Sequence, residues 1–329
     1  TGAATLTAAT TLSASGITTG STLAASTFNL TLTTDALTLG GNLSGSGALV
    51  IQPKTNSTTV GIGSGITSTS CGGAVCTLAI DDTELAFLPG TFSSITLGST
   101  TGTGAIAYTT STDYTFTDPL TIRSSSGAIT ATSALNTGTN SLTITSGGAV
   151  AVAAITSGTL AITGTGITLN GDITTSGTQT YTGAVTISGG DRVLTATDNA
   201  ILFSSTINSD AALTPRSLTI SAGSGNTTFS GAVGATYALN ALRVEGASTI
   251  AANIMTAGTQ NFIGNVVISG ADVNLSSNGN SGSGQAINFG GDIDGLSANA
   301  NSLYLFSGVA ETTVGGNIGN TVALNYLGL

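Results

Sequence analysis

The carboxylates are the residues of this chain with the most obvious chemical use. Asp81 and Asp82, followed by Glu84, form one acidic group, and Asp292 and Asp294 in GGDIDGL form another. Closely spaced acids serve glycosidases as proton donor and base, and hard oxygen ligands of this kind also suit calcium. The surrounding residues support neither use. The chain has no His, so the usual proton shuttle near neutral pH and any imidazole switch are missing. The GGxGxD nonapeptide of calcium-loaded β-rolls does not occur. Gly and Asp in GGDIDGL are what a loop corner between two strands requires, and Asp81 and Asp82 precede Glu84 at an expected strand start. No residue is therefore assigned as catalytic, cofactor-binding or metal-ligating.

Thiols and cations narrow the chemistry further. The two cysteines, Cys71 and Cys76 in SCGGAVCTL, are separated by a flexible spacer that allows a tight disulfide within one loop. Closing so short a loop gains roughly 2 kcal/mol in the loop-entropy model, enough to pin a protrusion rather than hold a fold. A metal site would need more than two thiols to complete a tetrahedral zinc shell, and a free reduced pair is the remaining alternative. Lys54, Arg123, Arg192, Arg216 and Arg243 stand far apart against 15 acids, for a net charge of -10. Phosphate backbones and anionic headgroups both demand clustered Lys and Arg, so nucleic acid and membrane surfaces are excluded as partners.

Whatever positions these side chains is a repeat. TSGTQTYTGAVTISG at 175–189 and TAGTQNFIGNVVISG at 256–270 are identical at 9 of 15 positions with an offset of 81, and TTFSGAVGATYALNAL at 227–242 matches TTVGGNIGNTVALNYL at 312–327 at 9 of 16 with an offset of 85. A sustained period means units that cannot bury an apolar face alone and must stack on neighbours. Only 6% of residues are charged, 47 are Gly and none is Trp. Thr is β-branched and Gly weakens helices, whereas Thr outside and Val, Ile or Leu inside is the pattern of a strand. Runs such as SLTIT (141–145), AVTIS (184–188), SLTIS (217–221) and NVVIS (265–269) alternate with period 2 and are closed by Gly, Ser, Asn or Asp. No stretch has the length of a confident helix or a membrane span, so helix content is expected near zero.

The repeat divides into about four turns of about 20 residues each, which predicts a parallel β-helix, all-β, running through 1–329 as one continuous solenoid. About sixteen turns would make a rod on the order of 75 to 80 Å long. The expected inward ladder is Val185, Ile187, Leu194, Ile201, Phe203, Ile207, Leu218, Ile220, Phe229 and Val233, repeated as Val266, Ile268, Leu275, Ile287, Phe289, Ile293, Leu303, Leu305, Val314 and Ile318. A pair of immunoglobulin-type sandwiches competes with this reading, but such domains bring more Pro, Asp and Lys and a buried Trp. Residues 1–80 read as less regular, with the Cys71/Cys76 loop near their end, and 81–329 carry the clearer repeats, the long one at 175–242 and 256–327.

DDTELAFLPGTFSSITLGSTTGTGAI at 81–106, with FTDPLTIRSSSGAIT at 116–130, resembles the recurring block of filamentous haemagglutinin-like bacterial adhesins, and GTQTYTGAVTISGGDRVLTATDNAILFSSTINS at 177–209 is similar to a second block of those proteins. The resemblance implies a right-handed β-helical shaft, secreted and displayed on the bacterial cell surface, often by a two-partner secretion route. The start at Thr1, without Met or a signal peptide, suggests a piece of a longer chain. The function expected is a non-enzymatic structural or adhesive shaft, a stiff spacer and contact surface. Its partners would be neighbouring turns of the parent chain or other copies of itself, and surface glycans or proteins of a host or neighbouring cell. A subunit of a surface filament or extracellular matrix layer is the alternative. Thr-x-Thr triplets (Thr5/Thr7, Thr31/Thr33, Thr143/Thr145, Thr178/Thr180) raise an ice-binding solenoid, which would need them in register on one flat face. A carbohydrate-active enzyme is the third class. Tyr108, Tyr114, Tyr181, Tyr237, Tyr304 and Tyr326 could stack on sugars where exposed, although the alignment of Tyr181 with Phe262 points to packing.

Overall fold

The computed structural model describes residues 2–66, 78–110, 114–278 and 284–329. Cys71 and Cys76 lie outside the described residues. The chain forms two compact units, Thr1–Thr165 and Gly166–Leu329. Both are built of parallel β-solenoid coils of about 21 residues, close to 15 coils in all, with almost no helix.

In the first unit the strands Leu30–Thr33, Ala48–Gln52, Ser94–Ser99, Leu120–Ser124 and Leu142–Ser146 lie side by side in parallel. Their register sets Leu30, Leu49, Ile95, Leu120 and Leu142 in one column and Leu32, Ile51, Leu97, Ile122 and Ile144 in the next. All ten are buried. Strict alternation produces this outcome, because a one-residue slip would turn every Leu and Ile outward and bring Thr inside. Each such side chain removed from water contributes on the order of 1.5–3 kcal/mol. A second face stacks Val60–Gly63, Ile106–Thr109, Ile129–Ala131 and Val150–Val152 in the same way. Corners allow close coil contact only where glycine stands: a Cβ on Gly127 would collide with the Gly104 carbonyl oxygen, and one on Gly104 with that of Thr58.

Among the described residues, the sequential order of coils breaks once. Leu78–Asp81 pairs with Val60–Gly63 on the edge opposite Ile106–Thr109, and packs beside Ala36–Leu39. A short helix, Asp82–Ala86, follows directly, and the chain rejoins the stack where the Phe87 carbonyl accepts the Leu43 N–H at 2.9 Å. Asp81 and Asp82 thus do not open a strand, as the sequence had suggested. Asp81 closes one and caps the helix, because its carboxylate accepts from Thr83 N and Glu84 N while Glu84 reaches back to the Asp81 N–H. That reciprocal pair satisfies helix-end donors that a strand would leave to a ladder.

In the second unit, two long strands, Leu218–Phe229 and Leu242–Ile250, each turn a corner and pair along their length with one irregularity between Ser221 and Asn226. Of the twenty expected inward residues, eighteen are buried. Val314 is half-buried and Ile318 is 42% exposed, because no later strand of the described residues covers their coil. Aromatic rings form two ladders: Tyr181, Phe203 and Phe229 stack at 5.0 and 5.7 Å between centroids, and Phe262 and Phe289 at 5.4 Å.

Candidate functional site

Both acidic groups are occupied by backbone hydrogen bonds. Glu84 is 7% exposed; its Oε1 accepts the Leu39 N–H at 3.3 Å and its Oε2 the Asp81 N–H at 3.0 Å. Burial pushes its carboxyl up to about 7, helped by the Asp81 charge and opposed by the two N–H donors. The Asp82 carboxylate takes a hydrogen bond from the Ser64 hydroxyl. Asp292 and Asp294 reach forward to the next coil. Asp292 Oδ1 accepts the Asn317 N–H at 2.6 Å, and Asp294 Oδ1 those of Thr321 and Val322 at 2.9 and 3.1 Å. The corner reading holds for Asp292, whereas Asp294 lies in the strand Ile293–Gly295.

The same clamp recurs along the molecule. Asp172 accepts from Val193 N at 2.9 Å, Asp191 from Ser217 N at 2.8 Å, Asp198 from Ser224 N at 2.8 Å and Asn265 from Asp292 N at 3.0 Å. In each pair the acceptor precedes the donor by one coil, with separations running from 19 residues for Asn29 and Ala48 to 29 for Asn208 and Tyr237. Corner N–H groups have no ladder partner, and a short carboxylate or amide supplies one. Reading the sequence residue by residue missed this role. The signal available was the recurrence of Asp or Asn at strand boundaries.

Hydroxyls also occupy inward positions of the alternation, at the ends of the apolar columns. Ser99, Ser124 and Ser146 fall in register at a strand end and are buried. Ser124 Oγ donates to Gly102 O or Gly104 O at 3.0 and 2.9 Å and accepts the Gly127 N–H, and Ser146 Oγ donates to Gly127 O at 2.7 Å. Deeper in the second unit, the fully buried Gln179 donates to Thr175 Oγ1 at 3.2 Å and Thr195 O at 2.7 Å, and accepts from Tyr181 Oη at 2.8 Å. Burial pushes the Tyr181 phenol well above its ordinary range. These polar atoms serve the fold and face no solvent.

The other side chains singled out do not converge either. Thr31 and Thr33 lie in register with Val50 and Gln52, while Thr143 and Thr145 stand between Thr121 with Arg123 and Ala161 with Thr163. An unbroken Thr-x-Thr field is therefore not built around them. Of the tyrosines, Tyr108 and Tyr181 are buried, Tyr114 donates to Leu85 O at 2.8 Å, and Tyr237 and Tyr326 are 43% and 55% exposed. Arg216 pairs with Asp210 and Arg243 with Glu245, each at 2.9 Å. Among the described residues, no group of three or more His, Cys, Asp or Glu is placed to hold a metal ion, and no helix is long and apolar enough to cross a membrane.

Stacked parallel coils with a continuous apolar interior in each unit define the class: a β-solenoid repeat protein. No family model, curated protein or solved structure matches the chain.

Proposed function

We propose that this chain is a segment of a secreted, non-enzymatic shaft displayed on a bacterial cell surface, where it acts as a stiff spacer and contact surface in adhesion. The observation that carries the reading is the fate of the polar groups. Asp172, Asp191, Asp198, Asp292 and Asp294 each spend a carboxylate oxygen on the backbone of the following coil. A catalytic pair would instead hold its oxygens toward a shared cleft. Side chains that lock coil to coil produce length and stiffness, the properties a spacer needs. The resemblance of 81–130 and 177–209 to filamentous haemagglutinin-like blocks supports the cellular setting. Two measurements test it. Incubation of the purified chain with a panel of polysaccharides should release no new reducing ends, and antibody against the chain should label intact producing cells. Turnover of any polysaccharide, or labelling only after lysis, would overturn the reading.

A further inference from the structure

We propose that Arg123 anchors an acidic-glycan site on the outer face of the first unit, where its guanidinium takes the carboxylate of a uronic acid and the threonine hydroxyls around it take those of the sugar chain. Arg123 stands between the buried Ile122 and Ser124, at an outward position of the strand Leu120–Ser124. It is the one charged residue on the strands Leu30–Thr33, Ala48–Gln52, Ser94–Ser99, Leu120–Ser124 and Leu142–Ser146. Its neighbours in register are Gly98, which has no side chain, and Thr145.

The guanidinium is unspent. Arg192 donates to the carbonyls of Leu169, Ser188 and Asp191, whereas Arg216 pairs with Asp210 and Arg243 with Glu245. Arg123 pairs with no acid among the described residues, and its Nε is buried without a hydrogen-bond partner. A covered donor of a charged group with no acceptor is costly, and a ligand that supplies an acceptor removes that cost. The flexible stem lets the planar fork lift off the sheet, and a carboxylate then accepts from two of its N–H groups at once.

The surroundings select a sugar over an acidic peptide. On Ser94–Ser99, Leu120–Ser124 and Leu142–Ser146 every other outward residue is Ser, Thr or Gly. A peptide would need a free sheet edge or apolar pockets, and all three strands are paired on both sides. Thr96, Thr121 and Thr143 form one column, its rungs about 4.8 Å apart, close to the rise per ring of an extended glycan. A chain of net charge -10 repels dense polyanions, so the fitting ligand carries isolated carboxylates among neutral sugars. The inference names a ligand class for the contact surface of the adhesive reading and rests on that reading for its setting.

Affinity electrophoresis of the purified chain in gels containing glucuronoxylan, a neutral backbone with isolated glucuronates, tests the site. It uses no cells, so its failure leaves the polysaccharide-turnover and cell-labelling tests of the adhesive reading standing. The wild type should be retarded, and carboxyl-reduced glucuronoxylan should bind it at least about tenfold more weakly, the worth of one charge-assisted contact. Arg123→Gln should lose as much on the intact glycan, while Lys54→Gln, which removes an exposed charge elsewhere in the unit, should bind as the wild type does. No retardation of the wild type, equal binding to the carboxyl-reduced glycan, unchanged binding in Arg123→Gln or an equal loss in Lys54→Gln would overturn the proposal. Polyglutamate bound as tightly as glucuronoxylan would assign Arg123 to acidic peptides and also overturn it. The carboxyl-reduced arm needs only the wild-type chain, so it decides even where a variant fails to fold.

Discussion

Gln179 and Gln260 occupy the same place in the two copies of the long repeat, and both are fully buried. Each donates through Nε2 to a Thr hydroxyl at 3.2 Å, Thr175 in the first copy and Thr256 in the second, and to a carbonyl of the next coil, Thr195 O at 2.7 Å or Ser276 O at 2.8 Å. The copies part at the acceptor. Tyr181 Oη donates to Gln179 Oε1 at 2.8 Å, whereas Phe262 stands in the equivalent position and Gln260 Oε1 has no partner among the described residues. An unsatisfied buried carbonyl costs about 1–3 kcal/mol, yet the second copy keeps the register, Gln260 opposite Ile287 as Gln179 is opposite Ile201, and a ring of the next coil still stacks on Phe262. Coil geometry is therefore set by the apolar columns and the ladder, and the polar rung adds to it without defining it.

The largest expected effect breaks the ring ladders themselves. Phe203 is held between Tyr181 and Phe229, nearly parallel to both at 9° and 6°. Phe289 stacks on Phe262 at 14° and has Val314, half-buried, on its other side. Removing a core Phe costs about 3–5 kcal/mol, depending on how far the site can collapse. Phe203→Ala should fall at the upper end, because both neighbours are rigid rings, and Phe289→Ala at the lower. Urea midpoints of the two variants, read by far-UV circular dichroism, check the order; equal or inverted shifts would mean that the third ring of the first copy adds nothing.

These ladders were largely legible in the sequence, since period-2 alternation names the inward residues without knowledge of neighbours. Leu194 and Ile220, for instance, both expected inward, fall into one column. What alternation cannot show is the partner of a polar side chain one coil away. Ser124 and Ser146 look like wet strand ends until a corner carbonyl is set above them, and Asp292 looks like a loop residue until Asn317 arrives 25 positions later. The helix at Asp82–Ala86 was hidden for a different reason. Its capping box, Asp81 with Glu84, is a local signal, but the Thr- and Gly-rich surroundings read as strand. Val314 and Ile318 have the right period and lack only a covering coil.

A middle-sized effect sharpens the comparison at the glutamines. Gln179→Leu keeps the volume but strands the Tyr181 hydroxyl and a share of the Thr195 carbonyl, at roughly 2–3 kcal/mol. Gln260→Leu removes an oxygen that had no partner, and Ser276 O still accepts the Thr256 N–H at 2.9 Å. The second substitution should therefore cost about 1 kcal/mol less than the first. Parallel urea titrations of both variants measure that gap, and its absence would show that the Tyr181 hydroxyl contributes nothing to the rung.

The smallest effect comes from exchanging the two aromatic residues. Tyr181→Phe recreates the second copy inside the first: the ring stack stays, Gln179 Oε1 loses its donor, and stability should drop by about 1 kcal/mol. Phe262→Tyr performs the reverse, offering a phenol to Gln260 Oε1 from the position that Tyr181 holds two residues after its own Gln. If the two pockets are equivalent, it should restore about the same 1 kcal/mol, and the gain should vanish in a Gln260→Leu background, because only the oxygen can accept the new hydroxyl. A gain that persists without Gln260 would assign the benefit to packing instead. A loss in the Gln260 background would mean that Phe262 fills a tighter pocket than Tyr181 does, and that the second copy gave up the hydroxyl for lack of space.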